Sequence, residues 1–526
     1  MTTTRTKRNS LGNAMAKRIA ANAVNAANAR NVANAANAGN AANVVNAINA
    51  LIACIACIAL ASCNFAPRYQ QPDLPIAGSY ESADIATAGG DRLASEITWQ
   101  MFFRDPTLKQ LIATALERNR DLAASVARIE QAQALYRVQR SARFPQVVAG
   151  ADASRSKTPL NVIEPEDSNT NASVHFNQYN VQVAVTSFEL DFWGRVANMA
   201  ESARRNYLAT VQANQAFRLS LISNVAATYY AILSGDEGIA LAQHTLATRE
   251  YALEVATLRL EAGAISLVDF EHARILVTQA QTQLAELQRI TGQQRDQLAV
   301  LIGGPLPVDM PERHEVRDAD QFATLDAGLP SSLLTLRPDI RAAEQSLRAA
   351  DADIGAARAD YFPRISLTGN FGYVSPELND LFVPGKQTWL IAGFVTLPIF
   401  DAGRRSAQVG ISEARRSELV ANYQRTVQVA FREVSDALIA RQRLREQIEA
   451  QERAVASEQR LAEAAELRYQ NGISIYLEVV DAKRSLFAAQ QQLIQLRAAA
   501  LQNGASLYIA LGGGQDGENA DQSARR

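Results

Sequence analysis

Four histidines, five methionines and three cysteines are all this chain has for imidazole or sulfur ligation of a metal or for thiol redox chemistry. His175, His244, His272 and His314 stand far apart in sequence, so their spacing offers no zinc-type set of about four ligands. Also missing are a phosphate-cradling glycine loop, a Gly-x-Ser-x-Gly turn and a His-Glu-x-x-His helix. These absences argue against an enzyme, and no cofactor and no metal site are expected. The net charge of −2 and pI near 6.2 leave no footprint for a nucleic-acid partner. Long apolar runs are absent too: after Cys63 no stretch of about 18 uncharged apolar residues occurs, which argues against a helical membrane span.

The one compact apolar run, LIACIACIALASCNF at 51–65, holds all three cysteines, Cys54, Cys57 and Cys63. Cys54 and Cys57 have Cys-x-x-Cys spacing, but their Ile, Ala and Leu neighbours cannot stabilise a thiolate. They read as small hydrophobes. The unbroken part, Ala50 to Ala61, is shorter than the ~20 residues of a spanning helix and suits the apolar core of a secretory signal. Lys7, Arg8, Lys17, Arg18 and Arg30 supply positive charge ahead of it, across a low-complexity Ala/Asn tract. Two readings of that tract stand open: an extended leader, or a start near Met15. Leu60-Ala61-Ser62-Cys63 resembles the lipobox of bacterial lipoproteins, which implies removal of a leader 1–62 and lipid on Cys63. By the same resemblance to sorted lipoproteins, Asn64 after the cysteine implies the outer membrane, and a mature chain without a free thiol fits the periplasm.

What is abundant is Ala, Gln, Glu, Arg and Leu, all good helix formers. Helices are expected over 196–233, 238–262, 267–301, 337–360, 404–470 and 476–510. A helix over 404–470 would be on the order of 100 Å long and needs partners along its whole length. The chain also repeats itself. LRLEAGAISLVDFEHARILVTQAQTQL at 258–284 echoes LRYQNGISIYLEVVDAKRSLFAAQQQL at 467–493. Gly263 and Gly472, Gly194 and Gly403, and Ile302 and Leu511 are each 209 residues apart. Asp121 and Asp339, and Phe144 and Phe362, are each 218 apart. An ordered series of this kind means duplication, with a first repeat at 63–304, a second at 305–514 and a disordered tail at 515–526.

Between the helices lie period-two segments. Tyr179, Val181, Val183 and Val185 alternate with Asn180, Gln182, Ala184 and Thr186; Ile365, Leu367, Phe371 and Tyr373 alternate with Ser366, Thr368 and Asn370. Such segments, expected at about 146–157, 177–190, 364–374 and 387–399, form strands with one apolar and one polar face. With Trp389 and the tyrosines they suit a membrane barrel, yet four strands cannot close one. Three copies of four would make 12, closed by cyclic symmetry.

Phe-Pro before the strands, Leu329-Pro330-Ser331-Ser332-Leu333-Leu334 leading into Arg337-Pro338-Asp339-Ile340-Arg341, and Phe400-Asp401-Ala402-Gly403-Arg404 resemble the TolC-like outer-membrane efflux proteins. The likeness is to the lipoprotein (NodT) branch that serves RND-type pumps, although Leu334-Thr335-Leu336 replace the arginines that branch usually carries there. The resemblance implies a mixed α and β fold: a homotrimer with a 12-stranded transmembrane β-barrel continued by a long periplasmic α-helical barrel. It implies a passive exit duct in the outer membrane for drugs or other small molecules, docked to a periplasmic adaptor and an inner-membrane RND transporter. Two alternatives stand beside it: a TolC-type channel for protein secretion with an ABC transporter, and a non-channel periplasmic coiled-coil lipoprotein. The second predicts no barrel strands.

The resemblance also assigns residues. The turns at Gly263-Ala264 and Gly472-Ile473 would form the periplasmic tip that docks the adaptor; glycine alone accounts for a left-handed helix end there. Leu477, Glu478, Asp481 and Arg484 would line the periplasmic aperture. Glu478 and Asp481 are three apart and Leu477 and Asp481 four apart, so they share a helix edge, and threefold symmetry would make each a ring. Asp269 and His272 occupy the matching places in the first repeat, so only the second offers both carboxylates.

Overall fold

The computed structural model describes residues 64–74, 97–159, 173–306, 322 and 337–513. The leader, Cys63, the Leu329–Leu334 stretch and the tail 515–526 lie outside these residues. Three short helices open the described chain: α1 (Trp99–Phe102), α2 (Pro106–Arg118) and α3 (Arg120–Ser141). Then come β1 (Val147–Pro159), β2 (Ser173–Glu189), α4 (Arg195–Glu261) and α5 (Leu267–Ile302). The order recurs with α6 (Pro338–Ala359), β3 (Arg364–Ser375), β4 (Gln387–Thr396), α7 (Arg404–Gln470) and α8 (Tyr476–Ala510).

The expected break between 233 and 238 does not occur: α4 runs unbroken through Ser234-Gly235-Asp236-Glu237-Gly238. The glycines there serve packing instead of ending the helix. A Cβ on Gly235 would overlap the Thr291 hydroxyl, and one on Gly238 would touch Leu287 at 3.6 Å, so α5 comes close to α4 at this point. One 18-residue window of α4 reaches a mean hydropathy of 1.2, but half of it is buried, as in a core helix.

Both 67-residue helices, α4 and α7, start from a left-handed glycine, Gly194 with φ 72° and Gly403 with φ 86°. That conformation turns an extended chain into a helix and costs little only for glycine. Next to the first turn, Arg195 grips Glu189 through both oxygens, at 2.9 and 2.5 Å, and Trp193 Nε1 donates to the Pro363 carbonyl at 2.8 Å. Next to the second, Asp401 accepts from the Gly403 and Arg405 amides and from Arg405 Nε at 2.6 Å. The start of α4 is therefore tied to the end of β2 and to the residue before β3, while Asp401 caps the first turn of α7.

The four strands make one antiparallel sheet in the order β1-β2-β3-β4. Register aligns Ala149, Val183, Phe371 and Trp389 in one row, and Val147, Val185, Gly369 and Ile391 in the next; directly opposed residues share a face. Gln182, Asp152, Asn180, Thr368 and Asn370 stand on the other face. Trp389 is 71 % and Ile391 70 % exposed, so the apolar face is uncovered within one chain. β1 and β4 are the edges of the sheet.

The main core lies at mid-length, where α1 and α2 pack on α4 and α8. Phe102 stacks on Tyr508 at 4.3 Å and on Phe322 at 5.1 Å, and Asp105 caps α2 while accepting from Tyr229 at 2.6 Å. The segment Asn64–Leu74 runs beside the helices as a strap. Asn198 donates to Asn64 at 3.0 Å, Phe65 stacks on Phe362 at 4.6 Å, and Phe362 stacks on Trp193. Farther along, Arg348 sits 4.4 Å over the Tyr69 ring, Gln71 donates to the Tyr423 hydroxyl, and Gln424 donates to the Asp73 carbonyl.

Candidate functional site

The ends of α4 and α7 farthest from the sheet turn into α5 and α8 by the same geometry. At the first turn Gly263 has φ 68°, its N–H reaches the Leu260 carbonyl, and the Ala264 N–H reaches the Arg259 carbonyl. At the second Gly472 has φ 70°, with its N–H on the Tyr469 carbonyl and the Ile473 N–H on the Arg468 carbonyl. This bonding closes a helix on a left-handed residue. The next helices start differently. Ser266 and Asp269 form a capping box on α5, whereas Ile475 leads into α8 without a side-chain cap.

The tip is apolar as well as tightly turned. Ile473 is 68 % exposed, and Ile475, Leu267 and Val268 are similarly open. Nothing lies within 4 Å of a Cβ built on Gly263 or Gly472.

Just beyond the second turn, α8 buries Val479 and Ala482 against Ala462 and Ala465 of α7. Burial of that stripe sends Leu477, Glu478, Asp481 and Arg484 to the uncovered side of α8. Leu477 is 39 % exposed. The Asp481 carboxylate accepts from Arg484 Nη2 at 2.8 Å, and Glu478 lies 3.8 Å from Arg468 Nη2. The structure therefore gathers the four residues on one side of one helix, but each carboxylate faces an arginine within the chain. The first repeat is chemically unequal here: Asp269 is engaged in its cap, accepting from Ser266 Oγ at 2.8 Å.

Sequence reasoning missed three partners. Arg468, on α7, opposes Glu478 across the turn. Arg259 at the end of α4 reaches the Tyr469 hydroxyl at 3.4 Å and lies over its ring, linking the two helix pairs. Arg249 is almost fully buried, donates to the Leu276 carbonyl at 2.9 Å and lies 5.4 Å from the Phe487 ring. Desolvation holds that guanidinium below its ordinary range, and burial likewise pushes the Tyr476 hydroxyl up. Echoing glycines in the sequence mark the turns; nothing in the sequence flags contacts between neighbouring helices. Among the described residues no group of three or more His, Cys, Asp or Glu is placed to hold a metal.

Comparison with known proteins agrees with this architecture. The family described as outer membrane efflux protein matches residues 111–304 and 329–513. The toluene efflux pump outer membrane protein TtgC of Pseudomonas putida is 39 % identical over 424 residues, 80 % of this chain and 86 % of that protein. Outer membrane protein OprJ of Pseudomonas aeruginosa is 36 % identical over 422 residues, covering 80 % and 87 %. The crystal structure of the open state of the Neisseria gonorrhoeae MtrE outer membrane channel superposes with a TM-score of 0.77 at 35 % identity, covering 86 % of this chain and 98 % of that one. With both repeats matched and relatives aligned over most of their length, this chain belongs to the outer membrane efflux protein family.

Proposed function

We propose that three copies of this chain close a 12-stranded barrel in the outer membrane, continued into the periplasm by a tunnel of α4, α5, α7 and α8. The observation that carries the reading is the sheet. It has four antiparallel strands, an uncovered apolar face and two unpaired edges. Unpaired backbone does not persist in hydrocarbon, and an isolated apolar edge invites aggregation. β1 runs away from the helices and β4 runs back toward them, so β4 of one copy meets β1 of the next antiparallel. Cyclic symmetry then removes every edge.

In this assembly the duct is passive. It carries drugs or other small molecules delivered by an inner-membrane RND transporter through a periplasmic adaptor. The names of the relatives, toluene efflux and antibiotic efflux among them, support small molecules over secreted proteins. Lipid on Cys63 adds an anchor. The tip turns at Gly263-Ala264 and Gly472-Ile473 dock the adaptor through exposed apolar side chains. Leu477, Glu478, Asp481 and Arg484 ring the periplasmic aperture, with the acidic rings favouring cations.

Electron microscopy of detergent-solubilised particles tests the architecture. Threefold, elongated particles are the expected result; compact monomers would end the reading.

A further inference from the structure

On β1 the apolar face stops abruptly. Moving away from the helices, Val147, Ala149, Ala151 and Ala153 are followed on the same face by Arg155 and Lys157. The register sets Asn177 of β2 opposite Arg155 and His175 opposite Lys157. This basic patch thus stands on the same side of the sheet as Val183, Phe371 and Trp389, just past the end of their apolar rows. Same-face neighbours on a strand lie roughly 7 Å apart and opposed residues about 5 Å. Long Arg and Lys side chains at that spacing can hold one phosphate-sized anion between them.

All four side chains of the patch are exposed. Among the described residues neither Arg155 nor Lys157 has a carboxylate partner. The two acids on the strands, Asp152 and Glu189, lie on the opposite face and are already engaged. Asp152 accepts from Asn180 at 3.0 Å, and Glu189 is held by Arg195. The outward face of the sheet is therefore apolar and then cationic, with no acid in either part.

We propose that Arg155 and Lys157, assisted by His175 and Asn177, bind the phosphorylated headgroups of outer-leaflet lipid, once per protomer. The proposal rests on the barrel reading, which sets the apolar rows against hydrocarbon and the far end of β1 at the outer surface. An anion reaching this patch must lie on the lipid side of the wall at headgroup depth. Charge complementarity and position together select an anionic lipid over a soluble ligand. Both stems can lie along the apolar wall with their charged ends at the interface.

The test uses the full-length trimer in phosphatidylcholine vesicles doped with bis-phosphorylated lipid A or its dephosphorylated form, with retained lipid counted by native mass spectrometry. Wild type should retain the phosphorylated lipid selectively. Arg155→Gln/Lys157→Gln should bind it about 30-fold more weakly, from the loss of two cations at a charged lipid surface. Arg155→Lys/Lys157→Arg, which keeps both charges, should bind as wild type does. Equal retention of both lipids by wild type, or undiminished binding by the double glutamine variant, overturns the proposal. So does wild type that binds neither lipid, the result expected if Glu164, Glu166 and Asp167 of the β1–β2 connection neutralise the patch. Trimer size and channel conductance, read on the same preparations, report failure of the barrel reading separately.

Discussion

Arg484 donates to Asp481 across 2.8 Å, one turn apart on α8, and the two side chains are 60 % and 54 % exposed. Within one chain so open a pair is worth at most about 1 kcal/mol. A role for it must show in conduction and not in folding. We expect Leu477→Ala with Asp481→Ala to raise the resting conductance of the reconstituted trimer and to weaken block by multivalent cations. Unchanged conductance and block would place the constriction elsewhere.

Gly472 has room for a side chain but the wrong backbone for one, with φ 70° and nothing within 4 Å of its Cβ position. Gly472→Trp should therefore leave trimers intact, at a local cost of about 1–2 kcal/mol, and abolish efflux by blocking adaptor docking. Full efflux in cells carrying this variant would sink the docking role.

The two kinds of helical glycine should respond oppositely. Gly235 faces Thr291 across a close contact, whereas Gly410 on α7 has nothing within 4 Å. Gly235→Leu should destabilise by about 1–3 kcal/mol through overpacking. Gly410→Ala should stabilise by up to about 1 kcal/mol through helix propensity. Thermal melting of the purified trimers compares them, and equal shifts would mean that α5 does not press on Gly235.

Asp401 gives a pH signature. The hydrogen bond from Arg405, helped by the Arg405 and Gly403 amides, holds its carboxyl below the ordinary 3.8. A carboxyl lowered by folding stabilises the fold above its unfolded value, and that contribution is lost as pH falls through the lowered folded one. The stability gap between wild type and Asp401→Asn should be constant above about pH 5, narrow below the ordinary carboxylate value, and close at lower pH. A gap that grows on acidification would contradict the assigned bonds.

Cys63 lies one residue ahead of the strap. If the barrel holds the trimer in the membrane, Cys63→Ala exported behind a cleavable signal should still form trimers that conduct normally, while processing of the native leader fails. Absence of trimers would make the lipid structural. Mass spectrometry of the mature N-terminus checks the modification itself.

Composition made the helices legible and local periodicity the strands. The expected helices over 404–470 and 476–510 coincide with α7 and α8, and the expected strands fall within a few residues of β1, β3 and β4. β2 starts earlier than expected, at Ser173, because His175 and Asn177 extend a ladder whose apolar alternation ends at Tyr179. The break expected between 233 and 238 failed for a different reason. Composition cannot separate a glycine that ends a helix from one that admits a neighbouring helix, and Thr291 lies 56 residues away in sequence. At the tip, the echoing glycines and the Asp481–Arg484 spacing were readable, since both are set within one turn of helix. Arg468 opposite Glu478 and Arg259 on Tyr469 were not, because they depend on how neighbouring helices meet.

The strap has a mechanical consequence. Asn64 is bonded to α4, Phe65 lies against the end of α6, Tyr69 sits under Arg348 of α6, and Gln71 and Asp73 meet α7. A pull on the chain ahead of Asn64 is loaded in shear along this row, and so is shared by both halves of the duplication instead of peeling one helix at a time. The aromatic stack of Phe65, Phe362 and Trp193 comes first in that row, at the seam where strands become helices. Tension applied at the N-terminus is thus absorbed at the sheet end of the molecule, and the helix tips at the far end are spared.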